Sequence, residues 1–172
     1  MAEMKLSEVL EVKDEQAFLG KLKEESETDD KRSSEHFLTR TGIINYSRSL
    51  VYYSEVHFWE GHSPYSYPDL PVDAGVRVAQ YGVLPVGVKV GLVFVDGHDP
   101  GYRRFVVAVD SPARKIYAET GPNGPVDWKA VEDKLSMAGD MTEFNDYFRR
   151  KNCCNHGGRL FEKKQRTIYY FM

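Results

Sequence analysis

The chain has 172 residues, 41% of them hydrophobic and 28% charged, with a formal net charge of −3. That length and balance describe one soluble domain with a core of its own. The weak acidity excludes nucleic acid as a partner, because phosphate binding needs a basic stripe, and it excludes a purely electrostatic hold on acidic membranes.

The first residues carry Glu3, Lys5 and Glu8 and no apolar signal core. No run reaches the ~18 apolar residues of a membrane helix. The expectation is a cytoplasmic or nucleocytoplasmic protein. Residues 4–27 read as helical, with Asp14 as N-cap and Ala17, Phe18, Leu19 and Leu22 as one apolar stripe. Residues 24–35 are charged and Ser-rich, so they read as a solvated linker or helix end. The expected organisation is an N-terminal helical segment and linker over 1–40 and a β-sandwich domain over 41–172.

Strands follow from residue 41. Ile43 and Ile44 open the β region, and residues 50–59 are rich in Val and Tyr. Residues 75–84 alternate, with Val76, Val78 and Gln80 opposing Arg77, Ala79 and Tyr81. Residues 88–95 (VKVGLVFV) are almost continuously apolar and predict a central strand. Asp96-Gly97 and Asp99-Pro100-Gly101 predict a hairpin connection to a strand at 102–109, and another strand follows at 115–120. One helix interrupts the pattern at about 126–138. Asp127 caps it, Trp128, Val131 and Leu135 share one face, and Gly139 stands where a C′ residue belongs. A further helical turn is expected over 142–148 and a closing strand over 159–172. Short strands with one inserted helix predict a mainly β, antiparallel sandwich.

The segment with the most to say about function is Phe58-Trp59-Glu60-Gly61-His62-Ser63-Pro64-Tyr65-Ser66-Tyr67-Pro68. Rings with a polar handle suit a surface that is apolar on one side and wet on the other. Trp59, His62, Tyr65 and Tyr67 are therefore expected to face outward as ligand-binding residues, with Tyr81, Arg103 and Arg104 beside them. Trp128 is expected to be core packing. Catalytic motifs are absent: the chain has no GxSxG, no P-loop, no GxGxxG and no HExxH. His57 and His62 lie five apart, a spacing of neither helix nor strand, and a third ligand such as His98 or Asp99 would have to come from another loop. No metal and no cofactor is expected. Cys153 and Cys154 are adjacent, read as reduced thiols in a loop with His156. An enzymatic alternative would place acid–base work on His62, Glu60, Asp110 or Tyr117 in a ring-lined pocket. A third reading uses Phe18, Leu19 and Leu22 to dock a partner or a second copy.

An ordered set of short elements carries a family resemblance. It comprises Asn45-Tyr46-Ser47, Trp59-Glu60-Gly61-His62, Tyr67-Pro68 with Gly75, and Val107-Ala108-Val109-Asp110-Ser111-Pro112. It continues with Ile116-Tyr117-Ala118-Glu119 and with Asp127-Trp128-Lys129-Ala130-Val131, Leu135 and Gly139; Gly157-Gly158 is a weaker echo. Over somewhat more than half its length the chain thereby resembles the small jasmonate-induced proteins of plants. That family is similar to the mushroom lectin-like protein nakanori, which recognises sphingomyelin with cholesterol, and to the actinoporins. The resemblance implies an actinoporin-like β-sandwich and a stress- or defence-linked role. It implies binding of a membrane lipid headgroup, a glycan or a small molecule, with peripheral membrane contact and self-association as accompanying expectations. Pore formation is not carried over. The N-terminal segment is acidic, and Gly97-His98-Asp99-Pro100-Gly101 replaces the dense Tyr/Trp loop of the actinoporins.

Overall fold

A computed structural model of the chain describes residues 7–11, 16–18, 20–21, 24, 36–45, 49–63, 66–83, 85–97, 101–138, 143–146 and 166–171. Among these, nine strands form two antiparallel sheets. The first sheet runs β1 (Ser7–Glu11), β4 (Ala74–Val83), β2 (His36–Asn45), β9 (Arg166–Phe171) and β8 (Glu143–Asp146), in that spatial order. The second runs β3 (Tyr52–Glu60), β5 (Lys89–Val95), β6 (Arg103–Asp110) and β7 (Lys115–Pro122).

The sheets share one core. Ile43, Val76 and Val78 of the first pack with Val90, Leu92, Phe94, Phe105, Val107 and Ile116 of the second. The expected mainly β sandwich is thus present in its broad form. The apolar run at 88–95 has a direct cause. Val90, Leu92 and Phe94 face the other sheet, while Val93 faces a helix, Trp128–Met137, that covers the sheet's outer surface. A strand buried on both faces cannot alternate with polar residues. Val131 and Leu135 are the helix residues that close on Val93, Val106 and Ala108. Asp127 caps the helix by accepting the Ala130 N–H, as expected from sequence. Lys89 pairs with Glu132 at one side, and Lys134 with Glu119 at the other.

Two single residues set local geometry. A Cβ on Gly91 would stand 2.3 Å from a Trp128 ring carbon, so the missing side chain is the seat of that ring. Asn45 is buried and its amide donates to the carbonyls of Ser49, Leu70 and Pro71, tying the end of β2 to two separate segments.

The structure corrects several expectations. Ser7–Glu11, inside the expected helix, is a strand paired antiparallel with β4. Pairing with an open sheet edge overrides local helical preference there. Within 4–27, helical backbone is confined to residues 16–18, 20–21 and 24 among those described, and Phe18 is buried beneath the Arg77 guanidinium, 6.0 Å from its ring. Strand β2 starts at His36, not at residue 41. The expected helical turn at 142–148 contains strand Glu143–Asp146 instead, paired with β9. The closing strand is present as Arg166–Phe171 and lies between β2 and β8. Asp14, Leu19, Leu22, Gly139, Cys153, Cys154 and His156 lie outside the described residues.

Gly91→Ala should push the Trp128 ring off the sheet and lower stability by about 1–3 kcal/mol. Urea unfolding followed by tryptophan fluorescence measures it; an unchanged midpoint would show that the ring is not seated on this glycine.

Candidate functional site: an uncharged end of the sandwich

Two chain reversals lie side by side at one end of the sandwich. Residues 61–68 leave β3, and residues 83–88 join β4 to β5. Neither 61–68 nor 78–88 contains an Asp, Glu, Lys or Arg, in a chain with 28% charged residues. The reversals are locked together by backbone: His62 N–H donates to the Tyr81 carbonyl and Tyr81 N–H to that of His62, each at 2.8 Å. Gly61 (φ 84°) and Gly87 (φ 71°) supply the left-handed conformations that the turns need. Gly87 N–H closes the second turn onto the Val83 carbonyl.

This end presents apolar chains to solvent. Val83 is 65% exposed and Val86 49%, with exposed Pro85 between them in space and sequence. The His62 side chain is also exposed and its ring stacks on Tyr81 at 6.0 Å and 29°. Exposed valines at a hydrogen-bonded turn, beside rings with polar atoms, form an amphipathic surface.

A hydrogen-bonded layer supports the end from within. Thr41 Oγ1 donates to Gln80 Oε1, and Gln80 Nε2 donates to the Tyr67 hydroxyl. Thr39 and Ser111, both buried, share a hydrogen bond of 2.6 Å that links the sheets. Tyr67 is only 4% exposed and its ring stacks on Tyr53 at 5.3 Å. The expectation that Tyr67 faces outward is therefore corrected. A buried phenol beside a buried glutamine finds its partner inside, whereas on the loop it would have left Gln80 unsatisfied. Burial pushes the Tyr67 hydroxyl up to about 12, against the lowering pull of hydrogen bonds from Gln80 and Ser63.

The remaining predicted residues divide among separate places. Tyr65 lies outside the described residues. Trp59 sits on the outer face of the second sheet, beside a register shift between Phe58 and Glu60. There it meets His57 at 4.8 Å and Trp128 at 5.7 Å, both edge to face, with Lys89 Nζ 5.7 Å from its ring. His57 stacks flat on Trp128, whose indole N–H donates to Glu55. Trp128 does serve packing, as expected, and it also completes this half-exposed aromatic ledge. Arg103 and Arg104 stand at the opposite end of β6, roughly 20 Å away along the strand. Arg104 is committed to the carbonyls of Gly124 and Pro125. The structure thus does not join the arginine pair to the 61–68 segment.

The acid–base candidates do not converge either. Asp110 accepts the Ala113 N–H in a turn. Tyr117 donates to Glu119, which also holds Lys134. Burial alone would raise the Glu119 carboxyl, but the hydrogen bonds from Lys134 and Tyr117 outweigh it and hold it below the usual range. Glu60 is exposed at the end of β3, and His62 belongs to the uncharged end. Among the described residues no three His, Cys, Asp or Glu side chains gather to hold a metal ion, and no helix is long and apolar enough to cross a membrane. Sequence reasoning missed Val83 and Val86, although an uncharged VLPVG run at a turn was a readable signal. It also passed over His57 as a ring partner. No family model matches the chain, and no curated protein sequence matches it.

Tyr67 gives the site a measurable signature. An isolated tyrosine titrates near 10 and this one near 12, so below pH 10 both folded and unfolded chains hold the proton. Between 10 and 12 only the unfolded chain releases it, and stability falls as pH rises through that window. Wild type should lose about 2 kcal/mol more than Tyr67→Phe between pH 9 and pH 12, each compared by urea unfolding. Equal losses in the two proteins would show that the phenol is not buried as described.

Proposed function

We propose that the protein is a non-enzymatic binding module that docks on a membrane lipid surface through the uncharged end formed by residues 61–68 and 81–88. The observation that carries this reading is the absence of charge from two interlocked turns that expose Val83 and Val86. Immersing a charged group in the bilayer interface is costly, whereas valines gain there and His and Tyr rings are at home at headgroup level. The net charge of −3 and the absence of Lys and Arg from 61–68 and 78–88 make the attachment apolar rather than electrostatic. The stress- or defence-linked role and the actinoporin-like form of the sandwich, both implied by the resemblance to small jasmonate-induced proteins, belong to the same proposal.

A second reading, glycan recognition, is favoured by the ledge of His57, Trp59 and Trp128. Its half-exposed rings are bordered by the Glu55 carboxylate, which accepts the Trp128 indole N–H. Indole faces pack on sugar C–H groups and carboxylates accept hydroxyl protons. An enzyme is the least supported reading, because no hydrogen bond joins His62, Glu60, Asp110 and Tyr117 among the described residues: Asp110 accepts the Ala113 N–H and Tyr117 donates to Glu119.

Vesicle co-sedimentation separates these readings. Wild type should bind zwitterionic phosphatidylcholine–cholesterol vesicles with little dependence on salt. The double change Val83→Asp and Val86→Asp should weaken binding about tenfold or more while leaving thermal unfolding unchanged, since both side chains are exposed. Binding that survives the double change would overturn the membrane reading. Binding confined to a glycan array, and lost in His57→Ala, would replace it with the second.

A further inference from the structure

At the end of the sandwich opposite the uncharged turns, residues 101–103 and 120–122 enclose an open cleft of about 350 Å³. Its volume falls at the lower end of the range typical of small-molecule sites. Three side chains give it a chemistry. The Tyr102 ring lies on the backbone of Gly97, where a Cβ would stand 2.5 Å from ring carbons. One ring face is thereby fixed against the chain, and Tyr102 remains 44% exposed. This is an aromatic platform that needs no reorganisation to receive a ligand.

Arg103 is the second element. Its backbone N–H donates to Asp96 Oδ1, which holds the hairpin in shape. Among the described residues its guanidinium has no hydrogen bond and no ion pair, and it is the one charged side chain in the lining of the cleft. The contrast with its neighbour is instructive. Strand alternation turns Arg104 to the outer face, where two carbonyls occupy it. Arg103 falls on the inner face with Phe105, at the mouth between the sheets. Thr120, paired with Phe105 on the adjoining strand, brings a hydroxyl to the same cleft. Just inward, Phe105 and Phe94 border an apolar recess of about 30 Å³, room for little more than one small group.

We propose that this cleft binds a small carboxylate carried on a ring. The guanidinium pairs with the carboxylate in a two-pronged hydrogen bond, Thr120 adds a hydroxyl, and the ring lies on Tyr102. A phosphate alone would leave the aromatic platform uncovered, and a neutral ring would leave the guanidinium unmatched. The chemistry is shared by two sources, an acidic sugar at the end of a glycan and a free aromatic acid. The site does not depend on the membrane reading, because it lies at the other end of the strands.

The test is titration of the isotope-labelled full-length protein by NMR with sodium glucuronate and with sodium benzoate. Glucose and benzamide serve as neutral counterparts. At least one acid should shift the amides of Tyr102 and Gly121 to saturation in the millimolar range, at least tenfold tighter than its neutral counterpart. Saturation by glucuronate alone assigns an acidic glycan, by benzoate alone a free aromatic acid, and by both the shared chemistry. Arg103→Gln should weaken that binding tenfold or more, Arg103→Lys severalfold, and Tyr102→Ala comparably to the glutamine variant. The Val83→Asp, Val86→Asp protein should titrate like wild type. The proposal is overturned if neither acid saturates, if acid and neutral counterpart bind alike, or if Arg103→Gln binds as wild type does.

Discussion

The middle strands of the second sheet, β5 and β6, are sealed on both faces, and most of the molecule follows from that constraint. One face meets the other sheet through residues such as Val90, Leu92 and Phe105; the other meets the helix through Val93, Val106 and Ala108. A sheet covered twice has no free surface for a ligand. Among the described residues of the second sheet, the ledge at the β3 edge and the two ends where strands turn remain open. The polar pairs Lys89 with Glu132 and Lys134 with Glu119 flank the helix and keep the cover in register. Being near the surface, they add positional specificity rather than much stability.

Much of this was legible in the chain. The run at 88–95 announced a strand without a solvent face, and Asp127 with Trp128, Val131 and Leu135 announced the helix that accounts for it. The Asp96-Gly97 turn was equally readable, since Asp96 accepts the Arg103 N–H and closes the hairpin. The N-terminal strand was not legible. Ser-Glu-Val-Leu-Glu has no strong β signal, and its conformation is set by the β4 edge that it completes. The four residues of Glu143–Asp146 are strand for the same reason, through β9.

The site was half legible for a different physical reason. Composition identified the 58–68 segment as unusual, but composition cannot say which way a ring points. Trp59 stays in line with His57 on the strand's outer face and finds Trp128, a contact across 69 positions of chain. Tyr67 is drawn inward because Gln80, buried by its place in β4, needs a partner. The surface beside the segment is made by its neighbour, where Val83 and Val86 are exposed. The glycines at 82 and 87 mark the turn, and Val83, Pro85 and Val86 within it are exposed.

The two ends of the sandwich carry opposite chemistries, and the fold explains why they can coexist. At one end two turns, 61–68 and 78–88, contain no Asp, Glu, Lys or Arg, and backbone pairing ties His62 to Tyr81 and Gly87 to Val83. At the other, the Arg103 guanidinium has no ion pair among the described residues and lines a cleft with the Tyr102 ring. Roughly 20 Å of strand separates them, about two Debye lengths at physiological salt, so the arginine exerts little pull on the uncharged end. A protein resting on a bilayer by its apolar turns would therefore point the cleft at Arg103 away from the lipid, into water, where small anions are met. The same antiparallel strands that keep the two surfaces apart also hold each in fixed orientation to the other, so the two proposed contacts, with lipid and with a small acid, do not compete for one surface.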